Sequence, residues 1–376
     1  METLSFIEPI DGDCLHQRSG EAVGDRLRIS VWIKAAPKRR ITLNGVEMRE
    51  TEEGRYLGVV ETVAGENRLV ATDAESGETC EISVYYFPTA AKKYRVSSDD
   101  NLLFLRDLTL HSERYASAFD HPYLAIYKKA HDLYGACVQL NLFYATDEKS
   151  LSHFSNAGEY FDLSMMTDRY REEFLANADW FKFSFHANSE YPSKPYQFAQ
   201  GETVREHCER IHREIKRFAG EETISNSVTV HWGEASEDCI RELRALGYRS
   251  FMGYFEYNSK GEPLVAYNAS REMLEHIGER DFWYDREADV LYGRIDLVLN
   301  LRTAEENMRL MQEIAAHRGR GGFVSVMIHE QYFYEGYVKY LKDFEERVLG
   351  PCRYLWEQGY RGTQIADVTD GFYGCT

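Results

Sequence analysis

The most constraining feature of this chain is a set of four β-type runs that each end in a polar residue able to do chemistry. In chain order, these strand-end residues are the adjacent pair Asp99-Asp100, then His186, His231 and His329. Parallel β/α folds place their active-site side chains at the carboxyl ends of the strands. The recurrence therefore predicts one shared site. Its carboxylates and imidazoles are the groups that metal-assisted hydrolysis requires.

The order of strands and helices supports this arrangement from about residue 92 to residue 376. A strand-like run over 137–143 follows a helical stretch over 122–134. The segment 203–218 has apolar residues at helical spacing, and Gly220 follows it as a helix stop signal. Such an alternation of strands and helices predicts a parallel barrel or a doubly wound sheet.

Residues 1–90 have a different pattern, which is typical of a small all-β domain. The run 27–33 alternates in the manner of a half-buried strand. Asn44-Gly45 is a hairpin-turn dipeptide, and Pro88 ends the last strand-like run. These features predict a β-sandwich that resembles immunoglobulin-like modules. The predicted organisation is therefore two domains, over 1–90 and 92–376.

The charge balance excludes two classes of partner. The chain has 44 basic and 62 acidic side chains, and its formal charge of −18 repels phosphate backbones and anionic membranes. We therefore expect no nucleic acid and no membrane as partner. No signal-type segment follows Met1, and the seven cysteines form no CxxC pair. A reduced, cytoplasmic protein is the expectation, or a secreted one if a leader has been removed.

The motifs of the segment 92–376 resemble those of polysaccharide deacetylases of the metal-dependent chitin and peptidoglycan deacetylase type. Asp99 and Asp100 match the family's first motif, in which the first aspartate is the base and the second is a metal ligand. The strand that ends in His329 matches the last motif, whose histidine protonates the leaving group. The resemblance implies a distorted (β/α) barrel and a divalent metal cofactor, with zinc as the expected ion.

Two departures from the family pattern leave the metal ligands open. The family's second motif is His-x-x-x-His, and here His186 is followed four residues later by Glu190. A carboxylate is an acceptable zinc ligand, so the implied ligand set is Asp100, His186 and Glu190. In the third motif, Thr229 stands where the family has an arginine that orients the base. His231 could take the place of that arginine, or it could complete the ligand set instead.

The function implied by the resemblance is the removal of an acyl group, acetyl in the family, from a carbohydrate. Asp99 would be the base and His329 the acid. The candidates that shape the sugar pocket are all aromatic: Trp232, Tyr191 and Tyr254. Two alternatives stay open. One is a hydrolase of the same fold that acts on a small non-sugar amide, and the other is a carbohydrate-binding pseudoenzyme without metal.

The strand-end residues also have purely structural interpretations. Asp99-Asp100 could cap a helix that begins at Leu102, because aspartate favours the N-cap position. His231, beside Trp232, could simply bond a backbone carbonyl. These interpretations would all have to hold at four successive strand ends, so one shared site is the better explanation.

Overall fold

The computed structural model of the protein describes residues 3–156 and 158–373. Its first part contains ten strands in two β-sheets. The strands are β1 (Ser5–Glu8), β2 (Cys14–Leu15), β3 (Glu21–Val23), β4 (Arg26–Lys34), β5 (Ile41–Leu43), β6 (Val46–Glu47), β7 (Arg49–Glu52), β8 (Arg55–Thr62), β9 (Gly65–Asp73) and β10 (Thr79–Tyr86). One sheet has the order β1-β4-β8-β7, with β3 paired to β4, and the other has the order β2-β10-β9-β5-β6. Every pair is antiparallel except β2 with β10.

The two sheets share one apolar core, which confirms the predicted alternation. Every second residue of β4 is buried, and these residues belong to the same cluster as side chains from β9 and β10 in the other sheet: Leu27, Ile29, Val31 and Ile33 with Leu69, Ile82 and Val84. Asn44 and Gly45 have φ values of 47° and 82° in the turn between β5 and β6, as a hairpin dipeptide should. The immunoglobulin-like relationship and the boundary after residue 90 stay predictions.

The second part alternates strands with helices. Its strands are β11 (Lys93–Asn101), β12 (Val138–Phe143), β13 (Phe181–Ala187), β14 (Ser227–Val228), β15 (Ser250–Gly253), β16 (Phe282–Asp285), β17 (Val290–Arg294), β18 (Leu297–Val298), β19 (Phe323–His329) and β20 (Arg361–Gly362). Its helices are α1 (Leu103–Leu110), α2 (Pro122–Tyr134), α3 (Glu148–Leu151), α4 (Arg171–Ala176), α5 (Gly201–Phe218), α6 (Glu237–Ala245), α7 (Arg271–Gly278), α8 (Ala304–Ala316), α9 (Phe344–Glu357) and α10 (Ile365–Tyr373).

The strands of this part form two sheets. One has the order β13-β12-β11-β19-β18, with β20 paired to β11, and all its pairs are parallel. The other has the order β14-β15-β17-β16, in which only β16 with β17 is antiparallel. Regular pairing in the described residues therefore gives an α/β architecture but no closed barrel, which corrects the predicted closure. Beside β13 the chain forms one isolated bridge, from Phe183 to Ile224, before the two-residue strand β14 begins, so no regular pairing joins the two sheets in the described residues.

The helices cover the sheets with apolar faces. The stripe predicted on α5 is buried, with Val204, Ile211 and Phe218 fully enclosed. No helix in residues 3–156 and 158–373 is both long and apolar enough to span a bilayer. The six cysteines of these residues are free thiols. The seventh, Cys375, lies outside the described residues together with the end of the predicted domain 92–376. The parallel strands β11, β13 and β19 all end at one edge of their sheet, and the predicted site residues lie at this edge.

Candidate metal centre and active site

Three of the strand-end residues converge on one point. Asp100 Oδ1 lies 3.0 Å from His186 Nε2 and 3.5 Å from His231 Nδ1. The two imidazole nitrogens are 3.1 Å apart, and one ligand atom of each residue lies within 4.8 Å of the others. All three residues are buried. One carboxylate oxygen and two imidazole nitrogens at this spacing form a donor set that fits a divalent cation such as zinc.

The backbone near these residues leaves regular strand geometry. Asp100 has a φ of 62° and Trp232 a φ of 65°, in the left-handed region that side chains rarely adopt. The pairing of β11 with β12 also shifts register between Ser98 and Asn101. In a regular strand Asp99 and Asp100 would point to opposite faces. Because of this irregularity, the charges of both carboxylates reach the same histidine, His186. The left-handed backbone conformation costs on the order of 1–3 kcal/mol per residue.

Backbone carbonyls fix the orientation of both candidate ligand histidines. His186 Nδ1 donates to the carbonyl oxygen of Thr229, which leaves Nε2 facing Asp100. His231 Nε2 donates to the carbonyl oxygen of Glu190 at 3.0 Å, which leaves Nδ1 facing the same carboxylate. Metal-ligating histidines are usually oriented by a bond of this kind from the other ring nitrogen.

The electrostatics of the group follow from burial and from the two carboxylates. Burial favours neutral imidazole, but Asp99 and Asp100 outweigh it and raise the pKa of His186 to about 9. Burial and the neighbouring His186 lower the pKa of His231 to about 4. Burial acts to raise the pKa of Asp100, yet His329, His186 and His231 hold it well below its usual range. Without a cation, the His186 imidazole is therefore protonated on both nitrogens at neutral pH. A bound cation would replace the proton on Nε2, the nitrogen that faces Asp100.

Glu190, the other predicted ligand, is not part of this group. The residues whose ligand atoms converge are Asp100, His186 and His231. The third member of the group is therefore His231, the alternative ligand, and not Glu190. Glu190 contributes its backbone carbonyl to His231, and its side chain lines the neighbouring cleft. Burial, and then the charge of Asp100, raise the pKa of the Glu190 carboxyl to about 8.

Asp99, the predicted base, is buried beside the same centre. Its Oδ1 accepts a hydrogen bond of 2.6 Å from Asn141 Nδ2. Burial raises the pKa of Asp99, although His186, His329 and Asn141 oppose the shift. A carboxylate whose pKa is raised from that of free aspartate is better suited to accept a proton near neutral pH.

His329, the predicted acid, is partly exposed at the end of β19. Its Nδ1 bonds Asn300 Oδ1 at 2.8 Å, and its Nε2 lies 4.0 Å from Asp100 Oδ2. The same carboxylate oxygen accepts a bond of 2.8 Å from Gln331 Nε2. No motif in the sequence pointed to Asn300 or Gln331. The only signal in the sequence is that Gln331 follows His329 by two residues.

The helix that follows the acid pair has a distant cap. The backbone N–H groups of Leu102, Leu103 and Phe104 donate to the buried carboxylate of Glu330, at 2.6, 2.9 and 2.6 Å. No side chain caps α1 from its own N-terminus. The structural interpretation of Asp99-Asp100 as an N-cap is therefore wrong. Because Glu330 takes the donors of the first helical turn, both aspartates remain available at the site.

A cleft of about 460 Å³ opens over the centre. All three aromatic residues predicted to shape a sugar pocket line it: Tyr191, Trp232 and Tyr254. The Trp232 side chain is 47% exposed, whereas Tyr254 is buried and its hydroxyl accepts a bond from Arg302 at 3.2 Å. A smaller cavity of about 60 Å³ adjoins Asp100 and has mainly apolar walls, which include Leu103, Phe143 and Phe154.

Comparison with known proteins gives structural likenesses at low sequence identity. No family model matches the sequence, and no curated protein matches it. The crystal structure of Agd3, a carbohydrate deacetylase, aligns with a TM-score of 0.40 at 9% identity over 93% of this chain and 71% of that chain. A protein from Bordetella bronchiseptica, described as a candidate polysaccharide deacetylase in O-antigen biosynthesis, aligns with a TM-score of 0.33 at 11% identity over 75% of this chain and 90% of that chain. At such scores neither likeness decides fold or function, which must be argued from the site.

Proposed function

We propose that this protein is a metal-dependent hydrolase that removes an acyl group, acetyl in the simplest case, from a carbohydrate. The observation that carries the proposal is the convergence of Asp100, His186 and His231 next to a buried carboxylate, Asp99, and a partly exposed imidazole, His329. These are the parts of one reaction: a cation site, a base and an acid. They also match the order of the deacetylase motifs in the sequence.

The metal would be held by Asp100, His186 and His231, and zinc is an ion that takes nitrogen and oxygen donors of this kind. When bound, such an ion supplies Lewis-acid polarisation of the acyl carbonyl and lowers the pKa of water. The protein's contribution is orientation. The carbonyls of Thr229 and Glu190 hold the two imidazoles in the tautomers that present a lone pair to the cation.

Asp99 and His329 would move the protons. Asp99 Oδ1 is occupied by Asn141, which leaves the other carboxylate oxygen to take a proton from the attacking water. His329 presents Nε2 to the centre because Nδ1 is held by Asn300. A proton delivered from this nitrogen would allow the amine or alcohol of the sugar to leave.

The cleft supports a carbohydrate as substrate. Exposed aromatic rings such as Trp232 offer flat apolar faces for sugar rings, and Tyr191 and Tyr254 line the same cleft. The cavity of about 60 Å³ beside Asp100 has room for the methyl end of a small acyl group. We assign this chemistry to an α/β domain over 92–376, with the immunoglobulin-like region over 1–90 as an accessory.

Metal content and acyl release together test the proposal. Purified protein is analysed for bound metal by mass spectrometry and assayed for acetate release from chitin oligomers and from O-acetylated xylan. We expect near-stoichiometric metal, activity that a chelator abolishes and Zn²⁺ restores, and loss of activity in Asp99→Asn. A protein that binds metal but releases no acetate from any acetylated sugar, while it hydrolyses small amides, would favour the non-sugar alternative. A protein that binds sugar and no divalent metal would favour the pseudoenzyme.

A further inference from the structure

A buried chain of hydrogen bonds connects Asp99 to a charged residue deep in the sheet. Arg95 Nη1 donates to Gln139 Oε1 at 3.0 Å, and Gln139 Nε2 donates to Asn141 Oδ1 at 2.7 Å. Asn141 Nδ2 then donates to Asp99 Oδ1 at 2.6 Å. All four residues are at most 3% exposed. Arg95 and Asp99 lie four residues apart on β11, and the two amides lie two residues apart on β12.

The donor and the acceptor of each of these hydrogen bonds are fixed, because the bonds begin at a group that can only donate and include one to a group that can only accept. A guanidinium only donates, so Gln139 must present Oε1 to Arg95. A backbone carbonyl only accepts, and the carbonyl of Ser227 takes a second bond from Gln139 Nε2 at 3.2 Å. The side chain of Gln139 therefore has one possible orientation. Because its Nε2 faces Asn141 Oδ1, Asn141 can present only its NH₂ group to Asp99.

Among the described residues, no carboxylate forms an ion pair with Arg95, which lies at the far end of this series of hydrogen bonds. The hydrogen bonds of the Arg95 guanidinium go to neutral oxygens, those of Ser325, Gln139 and Ser227. Its Nη2 is buried and has no hydrogen-bond partner in the described part of the chain. Burying an arginine in this way is expensive, and polar networks of this kind persist where they fix a geometry.

We infer that Gln139 and Asn141 are positioning residues for Asp99, and that Arg95 sets their direction. This inference rests on the proposed function for its catalytic meaning. These three hydrogen bonds, from Arg95 through Gln139 and Asn141 to Asp99, are called the relay below. The relay holds Asp99 Oδ1 against a donor, which fixes the side-chain rotamer of Asp99 and leaves its other oxygen to take a proton.

The substitution Gln139→Glu separates a positioning role from a structural one. A glutamate keeps the shape and gives Arg95 a carboxylate. It loses the bond to the Ser227 carbonyl whichever role Gln139 has, so the two roles differ only in the effect on Asn141 and Asp99. The glutamate also has no N–H to offer Asn141, and the Asn141 amide would turn its NH₂ group towards the new carboxylate. Asp99 would then face an oxygen instead of a donor. We expect an unchanged KM and unchanged metal content, with kcat lower by about 10- to 100-fold. Gln312→Glu, on the exposed face of α8, is the matched control.

A readout independent of activity completes the test. Protein labelled with isotopic asparagine gives side-chain amide resonances, and the Asn141 signal is assigned by its loss in Asn141→Leu. We expect Gln139→Glu, but not Gln312→Glu, to shift that signal. An unshifted Asn141 signal, or full kcat in Gln139→Glu, would overturn the relay even if the enzyme is active. If the wild-type protein releases no acyl group, the proposed function fails and the resonance alone decides the relay. If Gln139→Glu does not fold, Asn141→Leu must show the same loss of kcat, and full activity there would refute the inference.

Discussion

Asp99 and His329 are direct partners in the register of the neighbouring parallel strands β11 and β19. The same ladder pairs Ser97 with Met327 and Ser98 with Ile328, so the backbone positions of the proposed base and acid are fixed by continuous pairing. His329 also comes within 4.0 Å of Asp100, the residue after the base. A side-chain substitution at one of these positions should therefore change its chemistry without moving the backbone of the others.

The first prediction distinguishes the two candidate ligand sets. His231→Ala removes a nitrogen that lies 3.1 Å from His186 Nε2, and it should lose most of the bound metal. The loss of affinity should be at least as large as the roughly 10- to 100-fold typical of removing a residue that only supports a ligand. Glu190→Gln keeps the backbone carbonyl that orients His231 and should keep the metal. Metal analysis after dialysis measures both. The opposite pattern would restore Glu190 as the third ligand.

A second prediction separates the base from the ligands. Asp99→Asn keeps the size of the side chain and leaves Asp100, His186 and His231 in place. It should retain the metal and lose turnover by about 10²- to 10⁴-fold, because only proton transfer is removed. His186→Ala should lose both. Turnover and metal content are measured on the same preparations. Equal metal loss in the two variants would show that Asp99 is needed to hold the cation.

Much of the site could be predicted because strand ends are local features of a sequence. Apolar runs that end in Asp99-Asp100, His186, His231 and His329 mark the carboxyl edge of a parallel sheet, and three of these residues do converge. Whether Glu190 or His231 joins them could not be predicted. That choice depends on the contact of His231, after β14, with His186 at the end of β13, and no local periodicity in the sequence indicates such a contact.

Long-range bonds account for what the sequence could not reveal. Asp99-Asp100 before Leu102 has the pattern of a helix cap, and only the carboxylate of Glu330, 228 residues later, shows otherwise. The relay from Arg95 was equally hidden. A charged residue in a strand suggests an exposed face, yet here the side chain is 1% exposed and bonded across three other strands. Closure of a barrel is also a property of edges that meet far apart in the chain.

The third prediction concerns His329 as general acid. His329→Ala should lower turnover on an acetylated amine by about 10²- to 10⁴-fold without releasing metal. An acetyl ester of a good leaving group needs less help from a proton, so its hydrolysis should fall much less. Asn300→Leu frees the imidazole from its bond at Nδ1 and should show a weaker form of the same substrate dependence. Equal losses on both substrates in His329→Ala would mean that the residue has a structural role.

The last prediction is a pH dependence of stability that arises away from the site, at His212 on α5. Its Nε2 bonds the hydroxyl of Tyr248 at 2.8 Å, and burial, with a smaller effect of Lys216, lowers its pKa from 6.5 to about 4. Between these two pH values, His212 is therefore protonated in the unfolded chain but neutral in the folded chain. The free energy of unfolding should be highest above pH 6.5 and should fall as the pH drops towards 4.

For His212 alone, this linkage is worth about 2 kcal/mol at about pH 5 relative to about pH 8. Other buried groups titrate in the same range, and a substitution isolates the histidine from them. Urea unfolding of the wild type and of His212→Gln at the two pH values measures the difference. Glutamine can still bond Tyr248 but does not titrate, so the variant should lose less stability on acidification by about that amount. Identical pH dependence in the wild type and His212→Gln would mean that the ring is solvated enough to accept its proton in the folded state.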